Sequence, residues 1–252
     1  MSKRIKVMTF NLRVDLVSDG INSFFHRRDR VLEVIKNHNP DIISFQEATD
    51  SMRQWLKESL TDYILVGCGR DELYDGESTP IAYKKEKFDL VELKNLWLSN
   101  TPNVPGSSYG LDQSRFPRIF TSAIFNSIET KKTFLYINTH LDHIGVQSRI
   151  LSAKQLIEYI KEKELSCILT GDFNALPNSL EIKEISSFLK DLTINIGGTY
   201  HGFGKEKTAI KIDYIFTNLI SDEKETYMID EGPINGIYLS DHNPVCGFIE
   251  IK

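Results

Sequence analysis

Four apolar runs in this chain stop abruptly at side chains that can bind a metal ion or move a proton, and this repetition constrains the fold more than any other feature. They are Val7-Met8-Thr9-Phe10-Asn11-Leu12, Ile42-Ile43-Ser44-Phe45-Gln46-Glu47, Leu135-Tyr136-Ile137-Asn138-Thr139-His140 and Ile168-Leu169-Thr170-Gly171-Asp172-Phe173-Asn174-Ala175. Each reads as a buried strand that releases polar groups into a loop. The four are spread along the chain, so their polar ends meet only if the strands share one sheet edge.

The segments between them alternate in kind. A helical pattern at Val31-Leu32-Glu33-Val34-Ile35 follows the basic cluster His26, Arg27, Arg28 and Arg30 and is ended by Asn39-Pro40. Helices are also expected over 48–60, 147–162 and 180–189, the last after the turn at Pro177-Asn178. Residues 63–126 are β-rich, with strands over 80–84, 88–98 and 119–125 and a long loop at 100–117 as a candidate substrate rim. Further strands are expected at 212–216 and 245–249, and the strand, helix, strand order from 133 to 171 is a βαβ-like unit. We expect one domain over 1–252, a layered sandwich of two sheets with helices outside.

Composition narrows the function. With 252 residues, 40% of them apolar and 26% charged, the chain has ample material for a core. The formal net charge of −5 excludes a strongly basic nucleic-acid surface as the main source of affinity. An anionic substrate would then need a metal ion or a few placed cations. Met1 to Val7 has no signal-peptide pattern, and no segment has the apolar length of a membrane span. Cys68, Cys167 and Cys246 are far apart and odd in number, as expected for reduced cysteines in a cytoplasmic protein.

Gly171-Asp172-Phe173-Asn174 is also a good turn sequence, so alone it does not specify chemistry. Asp213 lies inside the apolar run Ile212-Asp213-Tyr214-Ile215, where a carboxylate needs a partner. His242, beside Asp241 in the turn Ser240-Asp241-His242-Asn243-Pro244, can be that partner. Glu47 offers hard oxygen ligands suited to Mg2+ or Mn2+ rather than zinc. Arg115 and Arg118, bracketing Phe116-Pro117, read either as a substrate anion clamp or as a solvated surface pair. Tyr109, Tyr200 and Phe203 are candidate stacking platforms.

Taken together, Thr9-Phe10-Asn11, Gln46-Glu47, Thr139-His140-Leu141, Gly171-Asp172-Phe173-Asn174, Ile212-Asp213-Tyr214 and Ser240-Asp241-His242 resemble the motif series of the endonuclease/exonuclease/phosphatase superfamily. The resemblance implies a four-layer α/β sandwich of the deoxyribonuclease-I type and a magnesium-dependent phosphoesterase. It makes Glu47 the principal metal ligand with Asn11 and Asp241 near the metal, and Asp172 the group that positions or deprotonates water. Asn174 would orient phosphate or nucleophile, and His242, paired with Asp213, would contact the scissile phosphate. His140 would give a proton or hydrogen bond to phosphate, supported by the carboxylate of Glu77. Asp142 and His143, followed by Arg149, are similar to uncharacterised bacterial members and would touch a second metal, the substrate, or only their own loop.

The expected substrate is a phosphate ester, whether nucleic acid, nucleotide or small phosphorylated metabolite, hydrolysed by a monomer. The alternatives are a phospholipid or sphingomyelin phosphodiesterase and a non-catalytic binding module that retains the fold.

Overall fold

Side-chain alternation along each strand decides the layers of the molecule. A computed structural model describes residues 4–252 and shows thirteen strands and four α-helices among them. Residues 1–3, part of the stretch read as lacking a targeting signal, lie outside the described residues.

The chain opens with β1 (Arg4–Asn11), α1 (Phe24–His38) and β2 (Ile42–Gln46), then α2 (Asp50–Ser59), β3 (Tyr63–Val66) and β4 (Ile81–Lys84). The second sheet follows with β5 (Phe88–Trp97), β6 (Ile119–Ser127), β7 (Thr133–His140), α3 (Val146–Lys163), β8 (Cys167–Asp172), α4 (Leu180–Ser186), β9 (Lys190–Asp191) and β10 (Asp213–Thr217). The chain then returns to the first sheet with β11 (Ile220–Ser221), β12 (Tyr227–Met228) and β13 (Val245–Glu250). The first sheet has the order β11-β13-β1-β2-β4-β3, with β12 also on β13, and the second β5-β6-β7-β8-β10-β9.

Two neighbouring pairs within the sheets are parallel, β1 with β2 and β7 with β8. Parallel strands need a crossover, supplied here by α1 and α3, and a crossover sends both carboxyl ends to the same edge. Asn11 therefore lies level with Gln46, and His140 level with Asp172. Antiparallel β10 begins at that edge, with Asp213 opposite Asp172.

Three apolar clusters fill the three interfaces of the sandwich. Met8, Phe10, Ile43 and Phe45 pack under α1 and α2, and Leu135, Ile137, Leu169 and Phe216 pack under α3 and α4. The alternate residues, among them Val7, Ile42, Tyr136, Ile168 and Ile215, meet between the sheets. The result is the expected four-layer α/β sandwich.

Along that central layer the chemistry changes toward the site edge. Apolar residues give way to Ser44, whose hydroxyl lies 2.9 Å from Tyr136 Oη and 2.6 Å from Thr170 Oγ1. Gln46 Nε2 then donates to Thr9 Oγ1 and Asn138 Oδ1, and Asn138 Nδ2 donates to the carbonyls of Phe45 and Pro80. A buried network of this kind rigidifies when nearly every member is paired. The next residues on the same faces are Asn11, His140 and Asp172.

The boundaries differ from the sequence reading in a few places. α1 begins at Phe24, so the basic cluster lies inside the helix and fully buried Arg27 is part of it. It ends as expected, with Asn39 in the left-handed region. α2 starts at Asp50 rather than 48, and α4 stops at Ser186 rather than 189.

Candidate active site

The site-edge loops leave their strands in conformations that most side chains avoid. Arg13, Glu47 and Asn174 have φ of 59°, 60° and 48°. Such backbone strain persists only where surroundings over-determine it. Gly171 has φ of +148°, and a Cβ there would lie 2.1 Å from the Thr139 carbonyl oxygen. Only glycine allows β7 and β8 to approach at this point, which brings His140 and Asp172 side by side.

Asp172 is the hub. Its Oδ2 accepts from Asn11 Nδ2 at 2.9 Å, and its Oδ1 from the Asn174 backbone N–H at 2.8 Å. The Nε2 atoms of His140 and His242 flank Oδ2 at 3.6 and 3.7 Å. Burial, reinforced by the charge of Asp213, raises the Asp172 pKa above the usual carboxylate range despite these donors and the nearby His242. A carboxylate ionised at a cost is a stronger base.

His242 is the opposite case. Burial disfavours its charge, but Asp213, whose Oδ2 lies 2.8 Å from Nδ1, outweighs burial with help from Asp172 and Asp241 and pushes the imidazole up to about 10. Asp213 Oδ1 has no hydrogen-bond partner among the described residues. Ligand atoms of Asp172, Asp213 and His242 lie within 4.8 Å of one another, forming a buried acidic and histidine triad. Because its imidazole nitrogen Nδ1 is engaged with Asp213, this trio is more simply an ion-pair chain than a set of metal ligands.

The hard oxygens stand on the other side of Asn11. Glu47 Oε1 accepts from Asn11 Nδ2 at 3.0 Å and Oε2 from the Val14 N–H at 2.7 Å. Burial raises the Glu47 pKa, but the Val14 N–H, the His242 charge, Asn11 and Arg13 together hold it below the usual range. Asp241 is pushed up by burial, and Glu47 adds to the effect against the attraction of His242. Two carboxylates facing one space, one of them raised by the other's charge, suit a hard cation between them. The donor set therefore fits the expected magnesium or manganese.

Glu47, His140, Asp172, Asn174, Asp241 and His242 line a cleft of about 600 Å³, which also takes in Arg13, Arg70, Glu77, Arg115, Arg118, His143 and Tyr200, with Asn11 and Asp213 behind its wall. Thus Asn11, Glu47, His140, Asp172, Asn174, Asp213, Asp241 and His242, far apart in sequence, form one cluster. The Tyr200 ring stands 5.0 Å from that of His242.

Several expectations need correction. Glu77 does not hold His140: its Oε1 accepts from Arg70 Nη2 at 2.8 Å. Asp142 turns away from the cleft and organises its own loop, accepting from the N–H groups of Ser114, Ile144 and Gly145 and from Arg118 Nε. Arg149 ties that loop to α4, donating to the Asp142 carbonyl at 2.9 Å and to Glu181 Oε1 at 2.7 Å. Arg118 is no solvated surface residue, being 4% exposed. Tyr109 packs against α3, with its hydroxyl donating to Gln155 Oε1, so it is no stacking platform in the cleft. Phe203 also lies away from it, beneath the Arg27 guanidinium.

Sequence reasoning missed three arginines. Arg70 sits in a loop with no periodicity to mark it. Arg13 reaches toward Asp19 and Asp241. Arg27 donates to the carbonyls of Asn22, Leu239 and Arg13, fixing the loop after β1 against the segment that presents Asp241 and His242. A charged residue in an apolar helical stripe was the only available sign of it.

Comparison with known proteins agrees with this geometry. Residues 8–242 match the model of the Endonuclease/Exonuclease/phosphatase family. A protein of that description from Bacteroides vulgatus is similar at 32% identity and a TM-score of 0.91, covering 99% of both chains. A mannosyl-6-phosphatase from Bacteroides thetaiotaomicron shares 32% identity over 96% of this chain and 98% of its own, with a TM-score of 0.84. An uncharacterised protein of Acanthamoeba polyphaga mimivirus is 28% identical over 96% of this chain and 98% of its length. No helix among the described residues is long and apolar enough to cross a membrane. The chain belongs to the Endonuclease/Exonuclease/phosphatase family, whose members are phosphoesterase hydrolases typically dependent on a divalent metal.

Proposed function

We propose that this chain is a magnesium-dependent phosphoesterase that hydrolyses a small phosphorylated metabolite, with a sugar phosphate as the leading class. The observation behind this reading is the Asp172 carboxylate, buried at the end of the cleft between Asn11, Asn174, His140 and His242. Glu47 and Asp241, with Asn11 beside them, would hold the metal. When bound, it supplies charge neutralisation at the phosphate oxygens.

The chain's own groups supply the rest. Asp172 keeps lone pairs available to take a proton from an attacking water, and its raised pKa makes it an effective base. Asp213 holds His242 by Nδ1, which leaves its Nε2–H, 3.7 Å from Asp172 Oδ2, to meet a phosphate oxygen, and the positive imidazole would stabilise the charge developing there. Support for a small substrate comes from the bounded cleft, the net charge of −5 and the likeness to a mannosyl-6-phosphatase.

The test is hydrolysis of mannose 6-phosphate, bis-p-nitrophenyl phosphate, sphingomyelin and single-stranded DNA, each with magnesium and with EDTA. Magnesium-dependent release of phosphate from the sugar is the expected result. Activity on DNA or sphingomyelin alone would reassign the substrate, and silence on every ester would favour a binding module.

A further inference from the structure

The far wall of the cleft, beyond His140, is made of hydrogen-bond donors with few acceptors to match. Arg118 is anchored by its Nε, 3.3 Å from Asp142 Oδ2. Its Nη2 lies 2.8 Å from His143 Nδ1, and its buried Nη1 finds no partner among the described residues. A guanidinium only donates, so His143 Nδ1 is the acceptor and the neutral ring carries its proton on Nε2. Burial and then the charge of Arg118 keep His143 below its usual pKa, consistent with that neutral form.

Arg70 belongs to the same wall, 6% exposed and stacked 4.6 Å above the Phe116 ring. Burial depresses its pKa; Glu77 opposes that effect and the charge of Arg118 adds to it. Two buried like charges in mutual repulsion, answered by Glu77 and by one contact to Asp142, are a costly arrangement that a bound anion would relieve. Arg115 extends the wall to the exposed rim, its guanidinium 4.8 Å from the same Phe116 ring.

This wall is separate from the place where phosphate would be attacked. Arg118 immediately precedes β6, while His140 and Asp172 end β7 and β8, the next two strands in the sheet. At about 4.8 Å per strand, the Arg118 backbone lies roughly 10 Å from that of Asp172. Anchored at Nε to Asp142 and in contact with His143, the Arg118 fork is held on the His143 side of the cleft, two strands away from Asp172. A surface on which donors outnumber acceptors, with Glu77 already engaged by Arg70, favours an oxyanion.

We propose that Arg118, Arg70 and the Nε2–H of His143, with Arg115 at the rim, form a subsite for a second, unreacting phosphate or carboxylate of the substrate. The enzyme is then selective for multiply anionic phosphoesters. This rests on the reading above that the attacked phosphate lies at Asp172, but occupancy of the subsite needs neither metal nor turnover.

Binding is therefore tested first, by the melting temperature of the protein titrated with inorganic sulfate in EDTA at constant ionic strength. Wild type is expected to show a saturable rise, which Arg118→Met weakens about 10-fold or more and exposed Arg115→Gln about 3-fold, as loss of charged hydrogen bonds requires. Arg118→Lys, which keeps the charge but not the fork, should fall between wild type and Arg118→Met and serves if the methionine variant does not melt cooperatively. His242→Asn should retain the response. Loss of sulfate binding in His242→Asn with retention in the Arg118 variants would overturn the subsite.

The second arm compares kcat/KM for fructose 1,6-bisphosphate against fructose 6-phosphate, and for 6-phosphogluconate against glucose 6-phosphate. The expected preference for one doubly anionic member is about 10-fold or more, identifies phosphate or carboxylate as the second group, and collapses toward unity in the Arg118 variants. An equal loss on both members of each pair would overturn the proposal, because the arginines would then serve the attacked phosphate. If none of the four is hydrolysed, the fault lies with the substrate reading and the sulfate titration alone decides the subsite.

Discussion

The ring of His140 accepts a hydrogen bond from the side chain of Asn174. Asn174 Nδ2 lies 3.0 Å from the Leu141 carbonyl, which can only accept, and 3.0 Å from His140 Nε2. The amide nitrogen is thereby identified, and its other hydrogen falls on Nε2. His140 is then neutral with its proton on Nδ1, in keeping with a pKa driven well below the usual value by burial and by the charges of Arg118 and Arg70. In this arrangement Nε2 has no proton to give a leaving group, unlike the proton or hydrogen-bond donor to phosphate that the family resemblance implied for His140. His140 instead holds Asn174, and through it the loop that caps Asp172.

Nitrogen chemical shifts test that assignment directly. We expect His140 to show a protonated Nδ1 and an unprotonated Nε2 at neutral pH, with Asn174→Ala abolishing the preference. A protonated Nε2 in the wild-type protein would restore His140 as a candidate acid.

Asp172→Asn preserves the shape of the side chain and keeps an oxygen to accept from the Asn174 backbone N–H. It removes the proposed base. Turnover of the preferred ester is expected to fall about 100-fold or more, while magnesium affinity, read by isothermal titration, stays close to wild type. Undiminished turnover would remove Asp172 from its role.

Gly171→Ala places a methyl group against the Thr139 carbonyl oxygen, at a backbone angle that side chains rarely adopt. The strands must part to admit it. We expect a loss of about 3 kcal/mol in urea denaturation, the upper part of the usual range for overpacking, together with lost activity as His140 and Asp172 move out of level. A loss within about 0.5 kcal/mol, as at an ordinary surface site, would show that β7 and β8 tolerate the separation.

The His242–Asp213 pair should leave a signature in the pH dependence of stability. The folded protein holds the His242 proton up to about 10, against 6.5 for the free side chain. Its contribution is complete below pH 6.5 and is lost as the pH rises toward 10. In EDTA, the melting temperature of wild type should fall more steeply between pH 7 and 10 than that of Asp213→Asn, in which the partner charge is gone. Parallel curves would refute the coupling.

Much of the site was legible because strands have a period of two. Thr9 and Asn11, Ser44 and Gln46, Asn138 and His140, and Thr170 and Asp172 all mark the inter-sheet face. Apolar runs ending on such residues announce both a sheet edge and a cluster there. Both crossover helices were legible from their apolar spacing, and the β7–α3–β8 unit with them, whereas the parallel pairing of β1 with β2 emerged only in the fold. Loop residues carry no period, and for them sequence separation says nothing about neighbours. Glu77 stood in reach of His140 on paper, yet Arg70, seven residues earlier in the same loop, took its carboxylate.

Sequence alone therefore determined a layered sandwich and the edge where polar groups collect, since these follow from local burial patterns. Asn11, Glu47, Asp172, Asp213, Asp241 and His242 stood out as candidates only as a set, through the motif series they share with the family. Tertiary structure decided the pairing: that Asn174 caps His140, that Asp142 serves its loop, and that Arg70 and Arg118 face the same cleft. Those outcomes depend on the direction of single polar atoms in a crowded space, where each donor takes the acceptor the packed backbone leaves within reach.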